Sequence, residues 1–213
     1  SDMTITIREA AVDSVEAAKQ ARRKGANRIE LSSHLELGGL TPDTRTIIDT
    51  LMAVEDVPVV IMVRPRGGDF AYDDAELQQM QDSLQQIADL GGQYVTFGVV
   101  RNHQLDFDAM MLLINHAHEL HLEVIMHMAF DHIAQESQQN VMQWLSDHHV
   151  KRILTHGGML ETPITDLLSE LQTLVNTSPP DLTILPGGGV TVANAQRIAN
   201  TLGVTEVHGS KIV

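Results

Sequence analysis

The sequence predicts an α/β fold, a (β/α)8 barrel of the TIM type that lacks its final helix. Two observations predict it. Short β-branched or apolar runs alternate with longer stretches of helical period along the whole chain, with no linker or low-complexity segment between them. The runs number eight, the strand count of a closed parallel barrel, and they recur every 25 to 35 residues or so, roughly the size of one βα repeat. A single barrel domain over residues 1–213 is therefore expected.

Taken in order, the first strand is expected over 4–10. The segment after it, AAVDS at 10–14, has no glycine fingerprint of the dinucleotide type, which argues against a doubly wound open sheet. A helix over 14–24 follows, with apolar residues at spacings of three and four. The second strand is placed at 28–33 and the third at 57–64, an apolar run that ends on Arg64. A helix over 74–90, a fourth strand at 94–100, a helix over 106–121 and a fifth strand at 122–128 continue the alternation. The sixth strand, 150–155, leads to a helix over 164–175, and the seventh, 182–186, to a helix beginning near Thr191. After the eighth strand, 206–210, only Lys211, Ile212 and Val213 remain, which is why the last helix is expected to be missing.

Composition narrows the function classes. With 43% hydrophobic residues the chain can build a core. Its 28 acidic and 14 basic side chains give a net charge of −14, which repels phosphate backbones and anionic membrane surfaces and excludes nucleic acid as an expected partner. No charged-then-apolar leader and no membrane-length apolar run is visible, so the expected location is cytoplasmic, with no membrane partner. Zero cysteines exclude disulfides, thiolate metal sites and a cysteine nucleophile.

In a parallel barrel the chemistry gathers where the βα loops leave the carboxyl ends of the strands. Those ends read Glu9, Glu30, Arg64 with Arg66 and Asp69, His127 with Asp131, His156, and two glycine-rich endings. A lone carboxylate inside a barrel is costly, so Glu9 and Glu30 are expected to pair with the arginines of the third strand, or Glu30 with Arg28 on its own strand face. Period-2 alternation in VIMHMAFD, 124–131, sets His127 on the face opposite Met126 and Met128, with Asp131 placed to orient its imidazole. Glu9, Glu30, His127 and Asp131 are the candidate proton-transfer groups. Arg64, Arg66, His208 and the loop Gly187, Gly188, Gly189 are the candidate anion-binding groups, because glycine amides beside a helix amino terminus suit an anion. Asp69 is expected to bond back to Arg66 or to the amides of its own loop.

The motifs RIELSSHLELGGLTPD (28–43), VRPRGGDFAY (63–72), AFD (129–131), ILTHGG (153–158), LPGGGV (185–190) and EVHGS (206–210) resemble the CutC copper-homeostasis family in order and spacing over essentially the whole chain. The resemblance implies a (β/α) barrel missing part of its helical ring, a cytoplasmic location, a role tied to copper, and self-association as a homodimer or larger. Carried over by position, it implies mouth residues Glu9, Arg28, Glu30, Arg64, Arg66, Asp69, His127, Asp131 and His208. Two departures stand out. Ala11, Val12 and Ser32 occupy places where members often carry cysteine, and Met128 stands where arginine is usual. Cu(I) prefers thiolate and thioether donors, so a Cu(I) site here would have to use methionine and histidine, with His127 and Met62 as metal candidates beside Met126 and Met128. Two functions remain open at this point: copper handling, or an enzyme acting on a small anionic or phosphorylated metabolite at the Glu/Arg/His mouth.

Overall fold

The computed structural model describes residues 1–213. Strand β1 (Ile7–Val12) is followed by α1 (Val15–Arg23), β2 (Arg28–Leu31), α2 (Thr44–Ala53), β3 (Val59–Met62), α3 (Asp74–Asp89) and β4 (Tyr94–Phe97). A small hairpin, β5 (Val100–Arg101) and β6 (Gln104–Leu105), precedes α4 (Phe107–Glu119). Then come β7 (Glu123–Met126), α5 (Gln135–Asp147), β8 (Val150–Thr155), α6 (Leu168–Thr177), β9 (Thr183–Pro186), α7 (Ala195–Leu202) and β10 (Glu206–Gly209). Eight strands pair side by side in the order β10-β1-β2-β3-β4-β7-β8-β9, every pairing parallel. The ladder runs through seven seams and is open at the eighth, between β9 and β10, so the TIM-type barrel is nearly closed. No helix follows β10 within residues 210–213, and Ile212 is fully buried there.

Local chemistry explains why helices start where they do. Ser14, Asp43, Asp73 and Asp106 each accept the amide three residues on, and Asp73 forms a reciprocal capping box with Glu76. Most of the buried apolar side chains, including Ile29, Ile61, Met126 and Ile184, face outward from the strands into the helix layer, where they join one cluster. Inward positions are different. Val60, Met62, Ile125, Leu154 and Leu185 are buried but stand apart from that cluster, and they share the barrel interior with Glu9, Arg28, Glu30, Thr96 and His208.

The expected strands at 4–10 and 94–100 are corrected. The first begins at Ile7, and the fourth ends at Phe97, after which the chain turns through β5 and β6. Asn102 and His103 both take positive φ, 52° and 59°, which is the two-residue turn that matches strand twist. Asn-His is a weaker turn signal than Asn-Gly, so the hairpin was hidden in a sequence that read as one strand.

Candidate functional site at the barrel mouth

Burial and charge are in tension inside this barrel, because the inward faces of β1, β2, β8 and β10 carry ionisable side chains. Glu9 on β1 stands between Arg28 and His208. One carboxylate oxygen accepts from Arg28 Nε on β2, and the other lies 2.7 Å from His208 Nδ1 on β10. Arg28 also reaches Glu206, with Nη1 2.8 Å from the carboxylate. Burial alone would raise the Glu9 carboxyl, but the His208 hydrogen bond and the charges of His208, Arg28 and Arg152 reverse this and hold it down at about 2. The same carboxylates act on His208. Burial lowers its imidazole, yet the charge of Glu30 and the bond to Glu9 leave it raised above its ordinary value.

Glu30 has no such protection. It is 6% exposed and accepts no hydrogen bond from the protein, and burial pushes its carboxyl up to about 7, with the charge of Glu9 adding to the rise and His208 and Arg28 opposing it. One ligand atom each from Glu9, Glu30 and His208 fall within 4.8 Å of one another. The expected Glu30–Arg28 pair is corrected, since Arg28 lies one residue pair deeper and spends its guanidinium on Glu9 and Glu206.

Above this cluster opens a cavity of about 730 Å³. Glu30, His208, Met62, Arg64, His127, Met128 and Asp131 all line it, together with apolar walls from Leu35, Leu37, Phe70, Leu154 and Leu160 and the loop Gly188–Gly189–Val190. Arg66 and Gly187 do not line it.

The third-strand arginines are not partners of Glu9 or Glu30. Arg64 donates to the carbonyls of Leu37 at 2.7 Å and Gly68 at 2.9 Å, and its guanidinium sits 4.7 Å from the centre of the Phe70 ring. One fork thereby ties the 34–39 turn to the 66–69 turn. Arg66 bonds Glu76 on α3, the carboxylate of Asp69 at 3.1 Å and the Ala71 carbonyl at 2.6 Å. Asp69 also accepts the Ala71 amide, so both of its expected roles occur together. Pro65 ends strand pairing and Gly68, at φ 87°, turns the chain back. These side chains build the loops that wall the cavity.

His127 faces the cavity, and its partner is not Asp131. Residues Met128–His132 form a 3-10 turn that carries Asp131 across to β8, where it accepts from Thr155 Oγ1 and, at 2.9 Å, from the His156 amide. Burial raises the Asp131 carboxyl to about 6 against these donors. His127 Nδ1 accepts the Ala129 amide at 3.1 Å. An amide can only donate, and burial followed by the charge of Arg64 drops the ring to about 3, so the neutral imidazole carries its proton on Nε2. Nε2 is buried without a partner. His127 thus offers a hydrogen-bond donor and not a free lone pair, a poor arrangement for a metal ligand. Met128 departs from the expected alternation, because strand geometry stops at Met126: Met126 points into the helix layer, whereas Met128 lines the cavity with His127.

The glycine loop is shaped by contact. A Cβ on Gly187 would lie 2.6 Å from Leu154 Cδ1 and 2.9 Å from His208 Cδ2, and one on Gly188 would lie 2.5 Å from His156 Nδ1. His156 bridges the carbonyls of Gly187 and Thr162 at 3.0 and 2.7 Å, fastening the loops after β8 and β9 together. Arg152 and Glu206, part of the charged interior, were missed in the sequence. The available signal was an arginine in KRILT on the face shared with inward Leu154.

Comparison with known proteins decides the family. The model of the CutC family matches residues 6–213. The chain belongs to the CutC family. A CutC family protein of Enterococcus faecalis is 41% identical over 210 residues, covering 97% of this chain and all of that protein. The human relative, described as a copper homeostasis protein cutC homolog, is 34% identical over 203 residues, 95% of this chain and 72% of its own length. A crystal structure of a copper homeostasis protein CutC from Streptococcus agalactiae superimposes with a TM-score of 0.92 at 29% identity, covering 97% of this chain and 99% of that one. The CutC fold and its copper-homeostasis family are therefore shared by this chain, and no helix in it is long and apolar enough to cross a membrane.

Proposed function

We propose that this CutC member serves copper homeostasis by taking divalent copper as cargo at the barrel mouth, with Glu30 and His208 as ligands and Glu9 behind His208. The observation that carries this is the convergence of Glu9, Glu30 and His208 within 4.8 Å, with Glu30 and His208 lining an open cavity. Carboxylate and imidazole suit Cu(II), whereas Cu(I) would look for thiolate, and the chain has no cysteine. Thioethers of Met62 and Met128 line the same cavity, but the neighbouring His127 presents a proton. Glu9 holding His208 Nδ1 is the carboxylate–histidine arrangement that orients an imidazole toward a metal through its other nitrogen. Copper would displace a proton from His208 and one from Glu30, so uptake strengthens as pH rises. Two facing protein ligands leave coordination positions open, which suits a site that hands its cargo on.

The same reading takes the protein as cytoplasmic and self-associating, as the family resemblance implies. Phe107 and Met111, 42% and 41% exposed, lie on α4, with Phe107 packed edge-on against Trp144 of α5, and this apolar patch supports self-association. Cell fractionation and analytical ultracentrifugation check those two points.

The test is titration of metal-free protein with Cu(II) against a competing chelator, followed by electron paramagnetic resonance. One copper per chain is expected, with nitrogen superhyperfine splitting and g and copper hyperfine values of a mixed nitrogen–oxygen ligand set, and with at least a tenfold loss of affinity in Glu30→Gln and His208→Gln. Absence of binding tighter than the competitor, or binding unchanged in both variants, would remove copper from this site.

A further inference from the structure

The cavity is far larger than a copper ion requires. Its volume of about 730 Å³ lies in the range of about 300 to 1,000 Å³ that holds small organic molecules. Its apolar lining comes from Leu35, Leu37, Phe70, Leu154 and Leu160. Leu154 and Leu160 border the glycine loop, which supplies a set of unused donors. The amides of Gly188, Gly189 and Val190, residues that line the cavity, donate to no protein group, and Gly188 and Gly189 hold φ of 83° and 84°, which glycine adopts without strain. His208 supplies a second, independent pointer. It is 95% buried, its Nδ1 is committed to Glu9, and its remaining ring edge packs on this loop, with Cδ2 2.9 Å from where a Gly187 Cβ would stand. Its Nε2 has no protein partner, and Lys211 lines the cavity as well.

We propose that the mouth of this barrel binds a small monocarboxylate with a branched or extended apolar body, its carboxylate on the Gly188–Val190 amides and His208 Nε2, its body against Phe70, Leu154 and Leu160. Glu30 stands beside His208 at the carboxylate's own end, and its charge favours a ligand carrying a single negative charge over a dianion. The chemistry named is therefore one charge and one greasy end. This goes beyond the copper reading and does not rest on it. Both ligands would use His208 Nε2, so the site holds one or the other unless the carboxylate itself completes the copper's coordination.

The test uses the whole protein, stripped of metal with EDTA and dialysed, and reads amide resonances by 15N correlation spectroscopy. The probes are 4-methylpentanoate, its neutral amide 4-methylpentanamide, and inorganic phosphate. Saturable shifts centred on Gly188, Gly189 and Val190 are expected with the carboxylate, with at least tenfold weaker binding of the amide and of phosphate. Leu160→Asp places a carboxylate at an exposed rim position, 63% accessible, and is expected to weaken 4-methylpentanoate at least fivefold without disturbing the fold. Equal binding of carboxylate and amide, tighter binding of phosphate, shifts located elsewhere, or no saturable shift at all would overturn the proposal. Because copper is absent throughout, a failure here leaves the copper titration standing, and a failure of that titration leaves this result standing.

Discussion

Glu9 and Glu30 stand on neighbouring strands with carboxylate oxygens within 4.8 Å, yet one carboxyl is held down at about 2 and the other is pushed up to about 7. The difference is one of partners. Glu9 has Arg28 and His208 in hydrogen-bond contact, whereas Glu30 has neither and feels the charge of Glu9 as well. Two neighbouring carboxyls with such different environments hold opposite charge states over the same pH range, and it is the environment, not the residue type, that sets which one carries the proton.

Replacing Glu30 should stabilise the fold on the alkaline side. Its carboxyl is raised in the folded state, so its favourable contribution is complete below the unfolded value near 4.5 and is lost as pH rises through about 7. Above that, a buried carboxylate is carried at a cost. Urea denaturation of Glu30→Gln should show little change at pH 5 and a gain on the order of 2 kcal/mol at pH 8.5, part of the full effect being offset by His208.

Replacing Glu9 should do the reverse. Glu9→Gln leaves Arg28 and His208 buried without their shared counter-charge, and removing one partner of a buried pair costs about 3 to 5 kcal/mol. The wild-type contribution of Glu9 is present above pH 4.5 and fades as pH falls toward about 2, so the variant and the wild type should converge in stability in strong acid.

His127 should stay neutral over the working range. Its lowered value means that its contribution to stability is complete above pH 6.5 and declines as pH falls toward about 3. Long-range 1H–15N spectra of the ring should show the Nε2–H tautomer from pH 8 down to pH 5. A tautomer with the proton on Nδ1 would contradict its bond to the Ala129 amide.

Gly187→Ala should loosen the mouth. The added methyl would lie 2.6 Å from Leu154 Cδ1, and such overpacking costs roughly 1 to 3 kcal/mol. The expected readout is a lower melting temperature together with broadened resonances from His208.

The fold was readable because its signals are periodic: runs such as VVIM in β3 and ILT in β8 alternate with amphipathic helices that open on Ser14, Asp73 and Asp106. Strand ends fixed by the same runs bring Glu30, Arg64, His127, Asp131 and His208 to the cavity, whereas Arg66 and Gly187 fall outside it. Who bonds to whom was not readable. Arg64 looked like a partner for a carboxylate, but three-dimensional turns at 34–39 and 66–69 surround it with carbonyls. Asp131 looked like a brace for His127 because the two are close in sequence, and a single 3-10 turn takes it to Thr155 instead. Pairings set by irregular backbone leave no period for a sequence to display.

The open seam between β9 and β10 has a mechanical consequence. Parting these two strands severs no strand-to-strand hydrogen bond, and the two sides of the gap carry the glycine loop and His208. The barrel is a split ring clasped at its mouth, where Thr191 bridges to Lys211 and the Val192 amide donates to the Lys211 carbonyl at 2.9 Å. Below that clasp the open edge can flex rather than unfold, and amide exchange should be fastest there.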